Sequence, residues 1–361
     1  MIPTAKPMLG RECIERIEDV IETGQLADGP EVRRFEEEFA AYCVTNHGVA
    51  TSNGTTALHA ALIGLEIGVG DRVLTSPFSF VASANAPRLA GAEVNFVDID
   101  PETYTIDPGK LEERLKNGEQ IDAVIAVHLY GLPADLGRLS ELADEYGFAL
   151  IEDAAQAHGA TFDSQRVGSF GDAGCFSFYP TKNMTTGEGG MITTDRYDVA
   201  RRASRFIDHG RDDEQRHTSL GHNFRMTSIA AAIGQTQLER LPEFIAIRQE
   251  NADRLTKGLE EVPIKTPKVP ADRTHVYNQY TIEFSNREYL RDRLQDNGIA
   301  SAVYYPQPIH QLPAFEQYEV NAPVAERVCD KVLSLPVHPS VTGEMIDWII
   351  QNIDSQVRAP A

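Results

Sequence analysis

A lysine beside a glycine-rich loop is the residue of this chain best suited to covalent chemistry. Lys182 follows the aromatic residues Phe178 and Tyr179 and precedes the glycine-rich run at 187–190. Such a setting favours a partly desolvated amine, and a neutral amine is a nucleophile. Ser177, five residues earlier, could bind a phosphate group. Because a lone lysine is usually a solvated surface group, its neighbours carry this interpretation.

An acidic pair stands where an apolar run stops. Glu152 and Asp153 follow the predicted strand at 148–151, and the segment continues to Gln156 and His158. Parallel sheets bind their ligands outside the carboxyl ends of the strands. A carboxylate at that place could hold a cationic ring nitrogen, or it could cap a helix. The segment alone leaves both interpretations open.

Two further segments could complete such a site. The run Ser52–Thr56 follows a short apolar stretch and opens a predicted helix, where free N–H groups and hydroxyls could hold a phosphate. A capped helix start is a commonplace alternative. The run has neither the P-loop pattern nor the dinucleotide fingerprint GxGxxG, which disfavours a nicotinamide dehydrogenase. The second segment, Gly221–Met226, is from its residues only a polar loop before a helix.

The elements that must position these segments alternate between strands and helices. Short apolar runs predict strands at 72–75, 93–97, 123–127 and 148–151, with helices near 55–66, 79–90, 107–116 and 135–146 between them. This alternation indicates an α/β fold with a mainly parallel sheet covered on both faces. Two more helices, near 227–240 and 243–261, lead into the prolines at 263, 267 and 270. The predicted domains are 1–245, with the sheet, and 246–361, a smaller α/β domain.

Composition narrows the classes of function. The 361 residues suffice for two domains, and 42% of them are apolar. A net charge of -21 disfavours binding to nucleic acid. The N-terminus does not resemble a signal peptide and the chain has no long apolar run, so we expect a cytoplasmic protein without a membrane segment. Neither a disulfide framework nor a metal site is expected, because four cysteines stand far apart, at positions 13, 43, 175 and 329.

The charged residues are mostly acidic, and the basic ones are mostly arginine. Asp and Glu number 54 against 33 Lys and Arg, and only eight of the basic residues are Lys. This balance is typical of a protein adapted to high salt, and equally of an ordinary acidic cytosolic protein.

Taken in order, the segments around Gly54, Asp153, Lys182 and Asn223 resemble the DegT/DnrJ/StrS-type sugar aminotransferases. These are pyridoxal-phosphate enzymes of the aspartate aminotransferase-like fold type I. The resemblance covers nearly the whole chain and extends to Pro77–Ala82. It implies an α/β fold with a large domain, built on a mainly parallel central sheet, and a smaller C-terminal α/β domain.

The resemblance also implies roles for individual residues. Lys182 would bind the aldehyde of pyridoxal 5'-phosphate and, once displaced by the substrate amine, move a proton between carbon atoms. Asp153 would keep the pyridine nitrogen protonated, so these two would be the catalytic residues. Gly54, Thr55 and Ser177 would bind the phosphate, with a smaller part for Thr56. Gln156 would bond the phenolic oxygen, and Phe80 would stack on the ring. Asn223 would bind the phosphate in the site of the neighbouring subunit. The substrate side would hold His158, Tyr305 and His310.

Some of these residues have simpler interpretations. Phe80 could be a core aromatic residue, and each histidine could be packed or hydrogen-bonded without touching a ligand.

The implied reaction moves an amino group from glutamate or glutamine to a keto group of a nucleotide-activated deoxysugar, within glycan biosynthesis. A homodimer with shared active sites is implied, because Asn223 would serve the partner's site. One rival is a pyridoxal-phosphate sugar dehydratase, in which a histidine replaces the lysine. Another is a cofactor-binding regulatory protein without turnover, which would not need Lys182 and Asp153 together.

Overall fold

Helices and strands alternate over residues 1–358, the part of the chain that the computed structural model describes. The helices are α1 (Arg11–Thr23), α2 (Pro30–Cys43), α3 (Gly54–Gly64), α4 (Ala82–Ala90), α5 (Pro108–Lys116), α6 (Leu136–Tyr146), α7 (Tyr197–Ile207), α8 (Ser228–Gly258), α9 (Arg287–Asp296), α10 (Pro323–Cys329) and α11 (Gly343–Arg358). The strands are β1 (His47–Thr51), β2 (Arg72–Thr75), β3 (Glu93–Phe96), β4 (Ala123–Val127), β5 (Ala149–Asp153), β6 (Thr161–Phe162), β7 (Gln165–Arg166), β8 (Ala173–Ser177), β9 (Gly190–Thr194), β10 (Tyr280–Glu283) and β11 (Val332–Leu335).

A seven-stranded sheet forms the centre of the larger part of the molecule. Its strand order is β1-β9-β8-β5-β4-β2-β3. Only β9 runs against its neighbours, being antiparallel to both β1 and β8, while the other pairs are parallel. The prediction of an α/β fold with a mainly parallel sheet is therefore confirmed. Because β9 is antiparallel to both of its neighbours, β1 runs in the same direction as β8. The six like-directed strands therefore end at one edge of the sheet.

Local residue choices explain where the first helices begin and end. Pro30 opens α2, at a position where its missing N–H costs no intrahelical bond. Gly24 ends α1 with φ 72°, in the left-handed region that glycine adopts without steric penalty. Both helix ends thus follow from the backbone preferences of single residues.

A single helix stands where two were predicted, at 227–240 and 243–261. α8 continues through Pro242, although an interior proline costs about 3 kcal/mol. The side chains of Leu241 and Phe244 flank that proline and are buried, and we attribute the continuity to their packing. The predicted boundary between residues 245 and 246 falls inside α8. The division into 1–245 and 246–361 stays a prediction.

The C-terminal half of α8 belongs to a second apolar core. Ala252 and Leu255 pack there with residues of α9 and α11 and of the antiparallel pair β10–β11, in which Tyr280 faces Leu335. Among residues 1–358 there is no helix that combines the length and the apolar character needed to cross a bilayer.

The acidic surface leads to a prediction about salt. With 54 acidic residues against 33 basic ones, like-charge repulsion should oppose folding at low ionic strength. At about 1 M NaCl the Debye length shrinks to ~3 Å, which screens that repulsion. We expect the free energy of unfolding, measured with urea because it carries no charge, to rise between dilute buffer and molar NaCl. A flat or falling dependence would mean that the acidity is unrelated to a high-salt habitat.

Candidate active site

Four of the predicted site residues lie at the edge where the like-directed strands end. Asp153 is the last residue of β5, and Ser177 is the last residue of the neighbouring parallel strand β8. The segment that follows β1 brings Gly54 to the same edge, where Thr51 pairs with Gly190 of β9. Lys182 lies in the loop between β8 and β9. Residues up to about 130 positions apart in the sequence thus share one place.

The loop that carries Lys182 is held at both ends by hydrogen bonds. The Phe178 N–H donates to the Gly189 carbonyl oxygen at 2.8 Å, and the Thr185 hydroxyl donates to the Phe178 carbonyl oxygen at 2.8 Å. Lys182 itself is half-buried. Burial lowers the pKa of Lys182 to about 8, although the negative charge of Asp153 opposes this shift. Near neutral pH a larger share of this amine is therefore uncharged than of an exposed lysine.

Asp153 has only 6% of its surface exposed. Its Oδ2 accepts a hydrogen bond from the Ser83 hydroxyl at 2.7 Å, and its Oδ1 accepts one from the Ala155 N–H at 3.3 Å. Residues 154–160 form turns and irregular backbone and not a helix, so this carboxylate is not a helix cap. It remains available to a cationic group at the strand edge. Ser83 was not singled out in the sequence, because nothing in its own segment points to a partner 70 positions away.

The adjacent carboxylate of Glu152 has a different role. Successive side chains of a strand point to opposite faces, and Glu152 accepts hydrogen bonds from His128 at 3.0 Å and from the N–H groups of Gly168 and Phe170 at 2.7 and 2.8 Å. Burial alone would raise its pKa, yet the bonds from His128 and from backbone N–H groups outweigh burial and lower it. Glu152 therefore ties the loop before β8 to β5 and is not available to a ligand.

The start of α3 forms a cradle beside Ser177. The Asn53 side chain caps the helix by accepting from the Thr56 N–H at 2.9 Å, while the N–H groups of Gly54 and Thr55 have no acceptor within the helix. A Cβ on Gly54 would lie 2.7 Å from the Ser177 Cβ, so only glycine allows this approach. The cradle combines free N–H groups, a hydroxyl and a helix N-terminus, which together suit an anion.

The Thr56 hydroxyl is already engaged in the cap. It donates to the Asn53 carbonyl oxygen at 2.8 Å and accepts from the Asn53 N–H at 3.1 Å. A phosphate contact by this hydroxyl would compete with the cap, so the smaller part predicted for Thr56 stays a prediction.

Three predicted residues line the space above the strand edge. Phe80 is 56% exposed, so it is not a core residue. Its ring lies 6.3 Å from that of Tyr305. Gln156 is oriented by two bonds: its Oε1 accepts from the Tyr130 N–H at 2.8 Å, and its Nε2 donates to the Tyr305 hydroxyl at 3.1 Å. Tyr305 thus closes the site from the C-terminal part of the chain.

The two predicted substrate-side histidines are both buried. His158 is completely buried between Phe176 and Phe178, and burial, then the charge of Lys182, lowers its pKa to about 3. His310 is 7% exposed and its Nε2 lies 3.2 Å from Glu326. Complete burial argues against direct contact between His158 and a substrate. The roles of both histidines stay predictions.

Asn223 lies apart from the enclosed residues. It is exposed and its Oδ1 accepts from the Arg225 Nε at 3.2 Å. The next carbonyl, that of Phe224, accepts from the Ser52 N–H at 2.7 Å. The backbone of Asn223 therefore lies close to the cradle of its own chain, while its exposed side chain faces outward.

Comparisons with known proteins agree with this arrangement. Residues 7–354 match the model of the DegT/DnrJ/EryC1/StrS aminotransferase family. The UDP-N-acetyl-3-dehydro-alpha-D-glucosamine 3-aminotransferase of Acidithiobacillus ferrooxidans is 38% identical over 337 residues, which cover 93% of this chain and 91% of the relative. A protein of Geobacillus stearothermophilus named pleiotropic regulatory protein is 37% identical over 349 residues, which cover 95% of this chain and 93% of the relative.

Among solved structures, that of DesV from S. venezuelae is similar over 97% of this chain and 95% of its own. The TM-score is 0.94 at 34% sequence identity. The likeness covers nearly the whole chain, and so includes the strand edge where the candidate site lies.

Proposed function

Because the chain belongs to the DegT/DnrJ/EryC1/StrS aminotransferase family, we propose that it transfers an amino group from glutamate or glutamine to a keto group of a nucleotide-activated deoxysugar. The observation that carries the proposal is the meeting of Lys182, Asp153 and the Gly54–Ser177 cradle at one edge of the sheet. The name of the Acidithiobacillus relative supports a nucleotide-linked keto-sugar as the acceptor.

Pyridoxal phosphate is the cofactor of this family, and the residues at the strand edge fit it. The cradle that a Cβ on Gly54 would fill suits the phosphate, and the half-buried amine of Lys182 suits the aldehyde. When bound, this cofactor supplies an aldehyde that carries the amino group and a ring that withdraws electrons.

The chain's own residues divide the remaining tasks. Lys182 would hold the cofactor through its aldehyde and, once displaced by the substrate amine, would accept and return a proton. Asp153 would hold a proton on the ring nitrogen. The Gly54 and Thr55 N–H groups and the Ser177 hydroxyl would bind the phosphate, Phe80 would stack on the ring, and Gln156 would bond its phenolic oxygen. Tyr305, bonded to Gln156, would stand on the substrate side of the site.

The test is an assay of nucleotide-linked keto-sugars with glutamate and glutamine as donors, read by mass spectrometry of the sugar product. A gain of an amino group is the expected result. Loss of water without a gain of nitrogen would support the dehydratase, although Lys182 stands where that enzyme has a histidine. Stable cofactor binding without turnover on any keto-sugar would support the regulatory protein, which the name of the Geobacillus relative keeps as a second candidate.

We further propose that the active protein is a homodimer in which Asn223 contacts the phosphate in the partner's site. Its exposed, outward-facing side chain supports this proposal. If so, a Lys182→Ala chain and an Asn223→Ala chain complement each other, because their mixed dimer contains one intact site. We expect a statistical mixture to recover about a quarter of wild-type activity. Loss of one hydrogen bond to a charged phosphate weakens binding roughly ten- to a hundred-fold, so the assay needs limiting cofactor.

A matched control mixes Lys182→Ala with Asp153→Ala chains. Both residues belong to the same chain's half of the site, so this mixture should stay inactive. If verified mixed dimers of the first pair also stay inactive, Asn223 serves the site of its own subunit. Full activity of the Asn223→Ala chain by itself would mean that Asn223 serves no site.

A further inference from the structure

Two serine hydroxyls form a chain behind Asp153. The Ser83 Oγ lies 2.7 Å from the Asp153 Oδ2, and the Ser79 Oγ lies 2.9 Å from the Ser83 Oγ. Ser83 is completely buried and Ser79 is 4% exposed. Water therefore does not replace either hydroxyl as a partner.

The direction of this chain follows from the donors and acceptors. An ionised carboxylate only accepts, so the Ser83 hydroxyl donates to Asp153. The carbonyl oxygen of Phe80 is a second acceptor within reach of Ser83, but at 3.3 Å it is farther away and carries no charge. Because the single hydrogen of Ser83 is then committed, Ser79 must donate to Ser83. Both donors point toward the carboxylate.

The helix that carries Ser83 adds to the same effect. Ser83 lies in the first turn of α4, whose N-terminus has a partial positive charge. The carboxylate of Asp153 thus faces a hydroxyl donor and a helix N-terminus from one side. Hydrogen bonds to the charged form of a carboxylate stabilise that form and fix its orientation.

We propose that Ser83, supported by Ser79, is a positioning residue for amino transfer: it orients the carboxylate of Asp153 toward the ring nitrogen of the cofactor. This inference rests on the proposed role of Asp153. Oδ2 is held by Ser83, whereas Oδ1 has the longer bond to the Ala155 N–H. Without Ser83 the carboxylate could turn away from the ring nitrogen, and its negative charge would be less stabilised in a buried setting.

The experiment compares Ser83→Ala, Ser83→Thr and Ser79→Ala, each loaded with pyridoxal phosphate that is isotope-labelled at the ring nitrogen. In Ser83→Ala we expect the NMR shift of that nitrogen to move toward the value of unprotonated pyridine. The kcat should fall roughly ten- to a hundred-fold, with the KM for the sugar unchanged. Ser83→Thr keeps the hydroxyl and should restore both, and Ser79→Ala should cause smaller changes in the same direction.

Ser76→Ala is the matched control. Ser76 is a buried serine between β2 and α4, but its hydroxyl bonds within the backbone of residues 76–78 and not to Asp153. If Ser83→Ala changes the nitrogen shift and kcat no more than Ser76→Ala does, the inference is overturned. Asp153→Asn distinguishes failure of this inference from failure of the proposed role of Asp153. If the NMR shift of the ring nitrogen changes in Asp153→Asn, the role of Asp153 stands even where Ser83→Ala has no effect. If that shift is unchanged, the roles of both Asp153 and Ser83 are overturned.

Discussion

Replacing Lys182 with Ala is expected to lower amino transfer by about 10⁴-fold or more, because the same amine binds the cofactor and moves the proton. Lys257→Ala, on the exposed face of α8, should leave activity unchanged. Borohydride treatment of the loaded wild-type protein, followed by peptide mapping, should find the reduced cofactor on Lys182. Attachment to any other lysine, or near-normal turnover of the Ala variant, would overturn the assignment.

The pH dependence of cofactor uptake gives an independent check on Lys182. Only the neutral amine attacks an aldehyde, and burial lowers the pKa of Lys182 to about 8 although Asp153 opposes the shift. The rate of uptake by the apoprotein should therefore rise with pH up to about 8 and level off above it. A rate that continues to rise toward the ordinary lysine pKa, ~10.4, would mean that the reacting amine is exposed.

The parts of the site that the sequence predicted are those with local signals. Asp153 follows an apolar run that does form a buried strand, and Lys182 stands in a loop rich in aromatic residues and glycine. The parallel register then brings Asp153 beside Cys175, two residues before Ser177. The predicted strand at 148–151 was enough to place Asp153 at a carboxyl end, whereas the strand that ends at Ser177 was not predicted.

What the sequence did not reveal depends on contacts between distant residues. The bond from Ser83 to Asp153 depends on how α4 packs on the strand edge, and no spacing rule encodes it. The predicted break between helices at 227–240 and 243–261 is wrong for a related reason. Pro242 lies in that gap and would ordinarily break a helix, but its buried neighbours Leu241 and Phe244 keep α8 continuous. Tertiary packing decided both cases.

Replacing Asp153 with Ala is expected to reduce kcat far more than it weakens cofactor binding. A charge placed beforehand at the ring nitrogen lies close to the electrons that the reaction displaces, and removing such a group costs roughly 10²–10³-fold in turnover. The phosphate cradle and Lys182 remain in the variant, so cofactor affinity should drop by only about ten- to a hundred-fold. Turnover is therefore measured at saturating cofactor, and affinity by titration of the apoprotein.

Asp153→Asn separates charge from shape in this prediction. The amide has nearly the volume of the carboxylate, and its oxygen can still accept from Ser83, so packing around the strand edge should be preserved. If charge is what matters, the Asn variant should be nearly as slow as the Ala variant while unfolding at a denaturant concentration close to wild type. Near-normal activity of Asp153→Ala would instead assign this buried carboxylate a structural role and leave the protonation of the ring nitrogen to another group.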